Sequence, residues 1–163
     1  MRKPLFLICS IQNFNPRESV KMNLERAIEI AVTAHKGVTD KGGNPYILHP
    51  LRVMFSLNTD EEKIVGVLHD VVEDAEDWDF ERLQKEGFSN EVLDALRSVT
   101  KFSENENYDE FIQRGLGNEI GRTVKIADIR DNLDVTRIGV LKDKDLKRLN
   151  KYKKSLKILT NQE

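Results

Sequence analysis

Apolar residues recur along most of the chain at spacings of three and four, which is the period of an amphipathic helix. The segment NLERAIEIAVTAHKG carries one apolar stripe and meets Gly37, a residue type that commonly ends a helix. The segment KDLKRLNKYKKSLKIL repeats the pattern near the C-terminus. Strand patterns are weak outside PLFLICSI, at residues 4–11. The periodicity therefore predicts an all-α fold.

Local signals predict where several helices begin and end. Pro50 in ILHPLRVMFSL is tolerable in a first helical turn. Thr59 and Glu62 form a T-x-x-E capping box ahead of KIVGVLHDVVED, and Asp79 and Gly87 bracket a short helix over DFERLQKE. Further helical segments are NEVLDALRSVT, ENYDEFIQRGL and EIGRTVKIADIRDNLDVTRI. Because no repeat or long linker divides them, we predict one helical domain over residues 22–163, preceded by an extension of uncertain structure over 1–21.

Composition excludes few function classes, but it indicates the cellular compartment. The 163 residues carry a formal net charge of −2, which gives no general reason to expect binding to nucleic acid or to a membrane. With Cys9 as the single cysteine, no intrachain disulfide can form, which fits a reducing compartment. No apolar run approaches the about 20 residues of a transmembrane helix. We expect a cytoplasmic protein, with homo-oligomerisation left open.

The stretch VLHDVVED places a histidine and three carboxylates among aliphatic residues. On a continuous helix His69 would lie beside Glu73, and Asp70 beside Asp74. Partly buried carboxylates repel one another and lose hydration, and a bound cation relieves both costs. A histidine with carboxylates suits Mn²⁺, Fe²⁺, Co²⁺ or Zn²⁺ better than Ca²⁺. The alternative interpretation is a solvated, charged helix face.

Two other segments offer further ligands. His35 and His49 both stand beside apolar residues, although a lone histidine in such a place is more often packed in a core. Asp128 lies in VKIADIRDNLD next to aliphatic residues, and a carboxylate close to buried surface is usually paired or bound to a metal. A salt bridge to Lys125 or Arg130 is the simpler alternative. We expect those neighbours not to reach the same face easily.

The motifs HPLRV, LHDVVED and VKIADIRDN, in this order, resemble those of the HD-domain phosphohydrolases. The resemblance is to the hydrolase domain of RelA/SpoT homologues and to small alarmone hydrolases, and it runs from about residue 24 to about residue 138. It implies an all-α, HD-type helical bundle. It also implies metal-dependent hydrolysis of the bond between the ribose 3′ oxygen and a pyrophosphate in (p)ppGpp, with pyrophosphate and GDP or GTP as products.

The resemblance also implies roles for individual residues. The implied metal ligands, typically for Mn²⁺ although another divalent transition metal is an alternative, are His49, His69, Asp70 and Asp128. The acidic pair Glu73 and Asp74 matches the residues that position or activate the hydrolytic water. Residues that match positions in contact with the nucleotide substrate, or close to it, are Lys41, Asn132 and His35.

Two departures from the family pattern leave the substrate open. Asp40 stands where these proteins carry an arginine that helps to hold the base, and Ile129 stands where an arginine is usual. The alternatives are another nucleotide substrate, such as a deoxynucleoside monophosphate, or a non-catalytic nucleotide-binding module. A pure binder has no need of Glu73 and Asp74. Besides Lys41, residues that we consider for phosphate contacts, although each is more simply an exposed solubilising charge, are Lys36, Lys101, Arg114 and Lys125.

Overall fold

The computed structural model describes residues 24–103 and 105–161. Within these ranges the chain forms nine α-helices, one 3-10 turn and no extended strand, apart from an isolated bridge between Thr39 and Pro45. The predicted all-α fold is therefore confirmed. The predicted extension over 1–21 and the segment PLFLICSI lie outside the described residues. No helix in the described ranges is long and apolar enough to cross a membrane.

The helices follow the predicted segments closely, with one exception discussed below. In chain order they are α1 (Leu24–Ala34), α2 (Leu48–Phe55), α3 (Asp60–Leu68), α4 (Val71–Asp74), α5 (Phe80–Lys85), α6 (Asn90–Val99), α7 (Tyr108–Leu116), α8 (Glu119–Leu133) and α9 (Asp143–Thr160). The 3-10 turn over Val135–Arg137 connects α8 towards α9.

The α3 helix is the centre of the main core. It packs against α1, α2, α6 and α8, and five consecutive residues from Ile64 to Leu68 are buried. A helix that is apolar on all sides is stable only when other elements surround it. At its start Thr59 and Glu62 form the predicted capping box. A Cβ on Gly66 would come within 2.5 Å of Leu57, so this glycine allows the close approach of the α2–α3 connection.

A second, smaller core lies between α7, α8 and α9. Its fully or nearly buried members are Phe111, Ile112, Ile129 and Leu159. The α8 helix spans both cores, since Val124 on the same helix is buried in the main core. Ile129, which stands where an arginine is usual in the family pattern, is thus a core residue whose aliphatic side chain packs between helices.

The predicted continuous helix through VLHDVVED is wrong at its centre. The α3 helix ends at Leu68, α4 begins at Val71, and His69 and Asp70 form a turn between them. Consecutive residues on a helix point about 100° apart. The turn instead brings Nε2 of His69 to 3.0 Å from Oδ2 of Asp70. The amide of Asp74 still donates to the carbonyl of Asp70, so the spacing of that pair is preserved.

Candidate metal centre and adjoining pocket

Four predicted ligands converge from three separate parts of the fold: α2, the α3–α4 turn and α8. Nε2 of His49 lies 3.3 Å from Oδ1 of Asp128 and 3.6 Å from Oδ2 of Asp70. Nε2 of His69 lies 3.0 Å and 3.7 Å from the same two oxygens. Ligand atoms of His49, His69 and Asp70 all lie within 4.8 Å of one another. The structure therefore brings the four side chains to one point.

The state of His69 fits a cation at that point. The residue is 1% exposed, and its Nδ1–H donates to the carbonyl of Gly66 over 2.8 Å. A carbonyl can only accept, so in the neutral ring the lone pair lies on Nε2. Nε2 has no hydrogen-bond partner among the described residues, although Asp70 is close. A buried lone pair beside a carboxylate is an arrangement that a divalent cation satisfies.

The electrostatics of the cluster favour bound positive charge. Burial opposes the charged form of His69, but Asp70 and Asp128 outweigh it and raise the pKa of the imidazole. Burial likewise favours the neutral acid of Asp128, but Lys125 and the histidines hold the pKa of that carboxyl well below its ordinary value. The carboxylates thus stay ionised and attract either a proton or a metal to the imidazoles.

Asp131 holds His49, one of the predicted metal ligands. Its Oδ2 accepts a hydrogen bond from Nδ1 of His49 over 2.7 Å. Arg52 donates to both oxygens of Asp131, at 2.7 and 3.1 Å, and Arg137 donates to Oδ2 at 3.1 Å. A carboxylate in this position fixes the tautomer and orientation of a ligating histidine. Asp131 was not among the site residues predicted from the sequence. The available signal was its spacing of three from Asp128, which places both on one face of α8.

Tyr46 occupies a similar supporting position beside Asp70. Its hydroxyl donates to Oδ2 of Asp70 over 2.6 Å, and its ring packs on His35 and His49. His35 is 2% exposed and does not line the adjoining pocket. His35 therefore does not face the pocket, and its place close to the substrate stays a prediction. It lies behind Tyr46, with both ring nitrogens lacking hydrogen-bond partners among the described residues.

The expectation that Lys125 cannot reach Asp128 is wrong. Nζ of Lys125 lies 2.9 Å from Oδ2 of Asp128, because residues three apart share a helix face. Nδ2 of Asn132 donates to Oδ1 of Asp128 over 2.6 Å. One oxygen of Asp128 therefore points towards the histidines and Asn132 while the other pairs with the lysine. Lys125 also packs over the ring of Phe111, so its ammonium group already has partners within the fold.

A pocket of about 540 Å³ opens beside the cluster. Of the predicted site residues outside the cluster, Lys41, Asp74 and Asn132 line this pocket. Arg148 and Tyr152 of α9, which were not predicted from the sequence, also line the pocket and share a helix face four residues apart. Nε of Arg148 is buried without a hydrogen-bond partner among the described residues.

The predicted acidic pair is divided between two environments. Asp74 lines the pocket, where burial and the neighbouring Asp70 carboxylate raise its pKa to about 6. Glu73 does not line the pocket, and its carboxylate accepts a hydrogen bond from the backbone amide of Lys101. Asp74 is therefore better placed than Glu73 to act on a ligand in the pocket.

The loop that carries Lys41 is shaped by Asp40. Oδ1 of Asp40 accepts hydrogen bonds from the amides of Gly42 and Asn44, at 2.8 and 2.9 Å. The loop also needs Gly43, whose φ of +81° is rarely adopted by other residues. The acid at this position therefore has a local structural role.

The other basic residues considered for phosphate contacts do not line the pocket. Arg114 is held by Glu106 and by the carbonyls of Arg97 and Thr100. Lys36 and Lys101 are likewise outside the pocket lining. Of the five candidates, only Lys41 faces the pocket.

Comparison with known proteins places this site in a class. A solved structure described as a metazoan ortholog of SpoT that hydrolyses ppGpp superposes with a TM-score of 0.69, over 90% of this chain and 88% of that one, at 20% sequence identity. The similarity shows a shared fold. The converging His and Asp residues agree with the HD-type arrangement that the sequence motifs resemble. No protein-family model matches the chain.

Within that class the sequence is related to the RelA/SpoT homologues, as the motifs predicted. The chain is 32% identical over 139 residues to the guanosine-3′,5′-bis(diphosphate) 3′-pyrophosphohydrolase of Aquifex aeolicus, which covers 78% of this chain and 19% of that protein. It is 35% identical over 97 residues to the bifunctional (p)ppGpp synthase/hydrolase SpoT of Escherichia coli, over 56% of this chain and 13% of that protein. The chain thus spans less than a fifth of the length of these relatives.

Proposed function

We propose that the protein is a metal-dependent (p)ppGpp 3′-pyrophosphohydrolase that releases pyrophosphate and GDP or GTP. The observation that carries this proposal is the convergence of His49, His69, Asp70 and Asp128 beside a pocket of about 540 Å³ that His49 lines. That volume lies within the range of about 300–1,000 Å³ that is usual for small-molecule sites. The names of the related bacterial proteins supply the substrate class.

We infer that Mn²⁺ is the resident metal, held by the two imidazoles and two carboxylates. This donor set suits a divalent transition metal better than Ca²⁺, whose ligands are oxygens. A metal bound there would lower the pKa of a coordinated water and polarise a phosphoryl oxygen. Tyr46 and Asp131 would hold Asp70 and His49 in their ligating orientations.

Asp74 is the proposed proton acceptor for the hydrolytic water. With its pKa at about 6 it is ionised at neutral pH, yet close enough to that pH to accept a proton effectively. Glu73 would act less directly, because its carboxylate holds the amide of Lys101. The position of Asp74 in the pocket argues against the alternative of a non-catalytic binding module.

The polar lining of the pocket supports a substrate with several phosphates. Lys41 and Arg148 supply positive charge from two separate elements, and Asn132 stands between the pocket and Asp128. The ring of Tyr152 offers a face on which a base can stack. A deoxynucleoside monophosphate would leave part of this lining without a partner, so it is the second candidate.

The experiment that tests the proposal is a product analysis of the full chain loaded with Mn²⁺. Incubation with ppGpp should yield GDP and pyrophosphate, whereas a deoxynucleoside monophosphate should remain intact. The variant Asp70→Asn is the matched control, because it removes a ligand charge with little change in shape. Release of phosphate from the monophosphate, with ppGpp left unchanged, would establish the alternative function.

We also propose that residues 22–163 form the HD hydrolase domain, with α9 as its C-terminal helix, and that residues 1–21 are an extension outside this domain. The motifs and the described helices all lie after residue 22. A chain that begins at Met22 should fold and hydrolyse ppGpp at the rate of the full chain. Size-exclusion chromatography with light scattering on the same samples would measure whether the protein is a homo-oligomer. A nucleic-acid binding assay should be negative.

A further inference from the structure

A second cavity of about 420 Å³ lies between the C-terminal part of α2 and α8. Its apolar floor includes Leu57 and Ile126, and the side chains of Arg52 and Arg130 line it together with Asn58. It is distinct from the first pocket, which is lined by Lys41, Arg148 and Tyr152. The two cavities share only Arg52 and Asp131.

The charges in this cavity are not balanced. Asp131 is its only lining carboxylate, and both of its oxygens already accept hydrogen bonds from Arg52, Arg137 or His49. The guanidinium of Arg130 makes no ion pair or hydrogen bond with any residue that the structure describes. The cavity therefore presents positive charge that lacks a counter-charge within the described fold.

Arg52 connects the cavity to the metal centre. Its Nε and Nη2 donate to Asp131, whereas Nη1 makes no hydrogen bond within the described ranges, and the side chain is 37% exposed. Asp131 in turn holds Nδ1 of His49, the residue whose Nε2 points into the cluster. An anion that bound Arg52 would be connected to the predicted metal ligand His49 through a chain of three hydrogen bonds, by way of Arg52 and Asp131.

We propose that this cavity binds a small tetrahedral dianion, such as a phosphate group, between Arg52 and Arg130. Guanidinium groups present N–H donors in a geometry that matches phosphate oxygens. Added negative charge beside Asp131 stabilises a cation in the cluster. Anion binding therefore tightens metal binding, and the metal tightens anion binding by the same factor. The anion site stands independently of the proposed hydrolase activity.

The test is a titration of the full chain with sodium sulfate at constant ionic strength, followed by amide NMR. Sulfate is the probe because it is a tetrahedral dianion that does not precipitate divalent metals, and diamagnetic Zn²⁺ fills the metal cluster. We expect saturable shifts at the amides of Asn58 and Thr123. Arg130→Gln should weaken binding about tenfold, which corresponds to about 1.4 kcal/mol. Arg97→Gln is the matched control, because it removes the same charge from α6, outside both cavities.

Shifts confined to the loop around Gly42, or an affinity unchanged by Arg130→Gln, would overturn the proposed site. Coupling is measured as the affinity for Zn²⁺ with and without sulfate. We expect sulfate to tighten Zn²⁺ binding severalfold in the wild type and not in Arg130→Gln. Equal Zn²⁺ affinities in the wild type with and without sulfate would overturn the connection through Arg52. None of these measurements uses the nucleotide substrate, so their failure is distinct from failure of the proposed hydrolase.

Discussion

The inner wall and the outer rim of the first pocket are built in different ways. The inner wall is the name we give to the candidate metal cluster: His49, which lines the pocket, together with His69, Asp70 and Asp128, which adjoin it. These residues lie on or between packed helices and have several partners each. The outer rim consists of the loop around Lys41 and the half-buried Arg148 of α9. That loop is exposed and is shaped by hydrogen bonds to its own Asp40.

This difference separates the chemistry from the choice of substrate. Side chains whose rotamers are fixed by packing and by further hydrogen bonds can hold a metal in one geometry. Residues on surface loops tolerate change at lower cost in stability. Substitutions on the inner wall should therefore reduce metal content and turnover, whereas those on the rim should mainly change KM.

The largest effect is expected from removing one ligand charge. Asp70→Asn should lower kcat/KM by about 10³-fold or more, since metal-derived stabilisation of several kcal/mol is lost. Metal content, measured by elemental analysis, should fall in parallel. Asp94→Asn, an exposed change on α6, is the control and should retain both. Full activity of a metal-free Asp70→Asn protein would show that the cluster is not the reaction centre.

Variants of the acidic pair test which of the two carboxylates activates the hydrolytic water. Asp74→Asn should reduce kcat by about 10²- to 10⁴-fold, as expected for loss of a general base, with metal content unchanged. Glu73→Gln should have a smaller effect, because Glu73 does not line the pocket. The double variant should be inactive and still hold its metal. The reverse order of the two single effects would reassign the proton acceptor to Glu73.

Variants of Asp131 test whether the inner wall depends on the residues that hydrogen-bond its histidines. Asp131→Ala should weaken metal affinity by about 10- to 100-fold, the usual cost of losing a carboxylate behind a ligating histidine. Asp131→Asn should weaken it less, because the amide oxygen can still accept from Nδ1 of His49. Competition with a fluorescent chelator measures both affinities. Equal affinities in all three proteins would mean that His49 is positioned by packing alone.

Substitutions at the outer rim should mainly change KM. Arg148→Gln should raise KM for ppGpp about tenfold and leave kcat within about twofold, since a contact held equally in ground and transition states changes only binding. Lys147→Gln removes the same charge from the neighbouring position of α9, outside the pocket, and should behave as the wild type. A selective loss of kcat in Arg148→Gln would place that guanidinium at the reacting phosphate instead.

The smallest effect is expected at Asp40. Asp40→Ala leaves two backbone amides of an exposed loop without their acceptor and should destabilise the protein by about 0.5–1.5 kcal/mol in urea unfolding. Asp40→Asn keeps an acceptor and should be nearly neutral. Introducing the arginine of related proteins, Asp40→Arg, would carry the same cost as alanine. If Asp40→Ala is as stable as the wild type, the loop is held by its other contacts.

Local patterns determined much of this protein before any tertiary contact was known. Helix positions followed from apolar spacing, and the starts at Thr59 and Asp79 followed from side chains that cap the first turn. These features depend on neighbours within about one helical turn, so they can be predicted from the sequence alone. The motifs around His49, His69 and Asp128 likewise stood out through a resemblance in both residue type and order.

Tertiary structure alone decided the rest. The turn at His69 and Asp70 interrupts a stretch whose periodicity is helical, and it aims two consecutive side chains at one point. Arg52 meets Asp131 across 79 residues of sequence, and α9 supplies Arg148 to a pocket that is also lined by His49, 99 positions earlier (148 − 49). Such meetings depend on how helices pack around two cores. Packing is a property of the whole chain, so no short pattern encodes it.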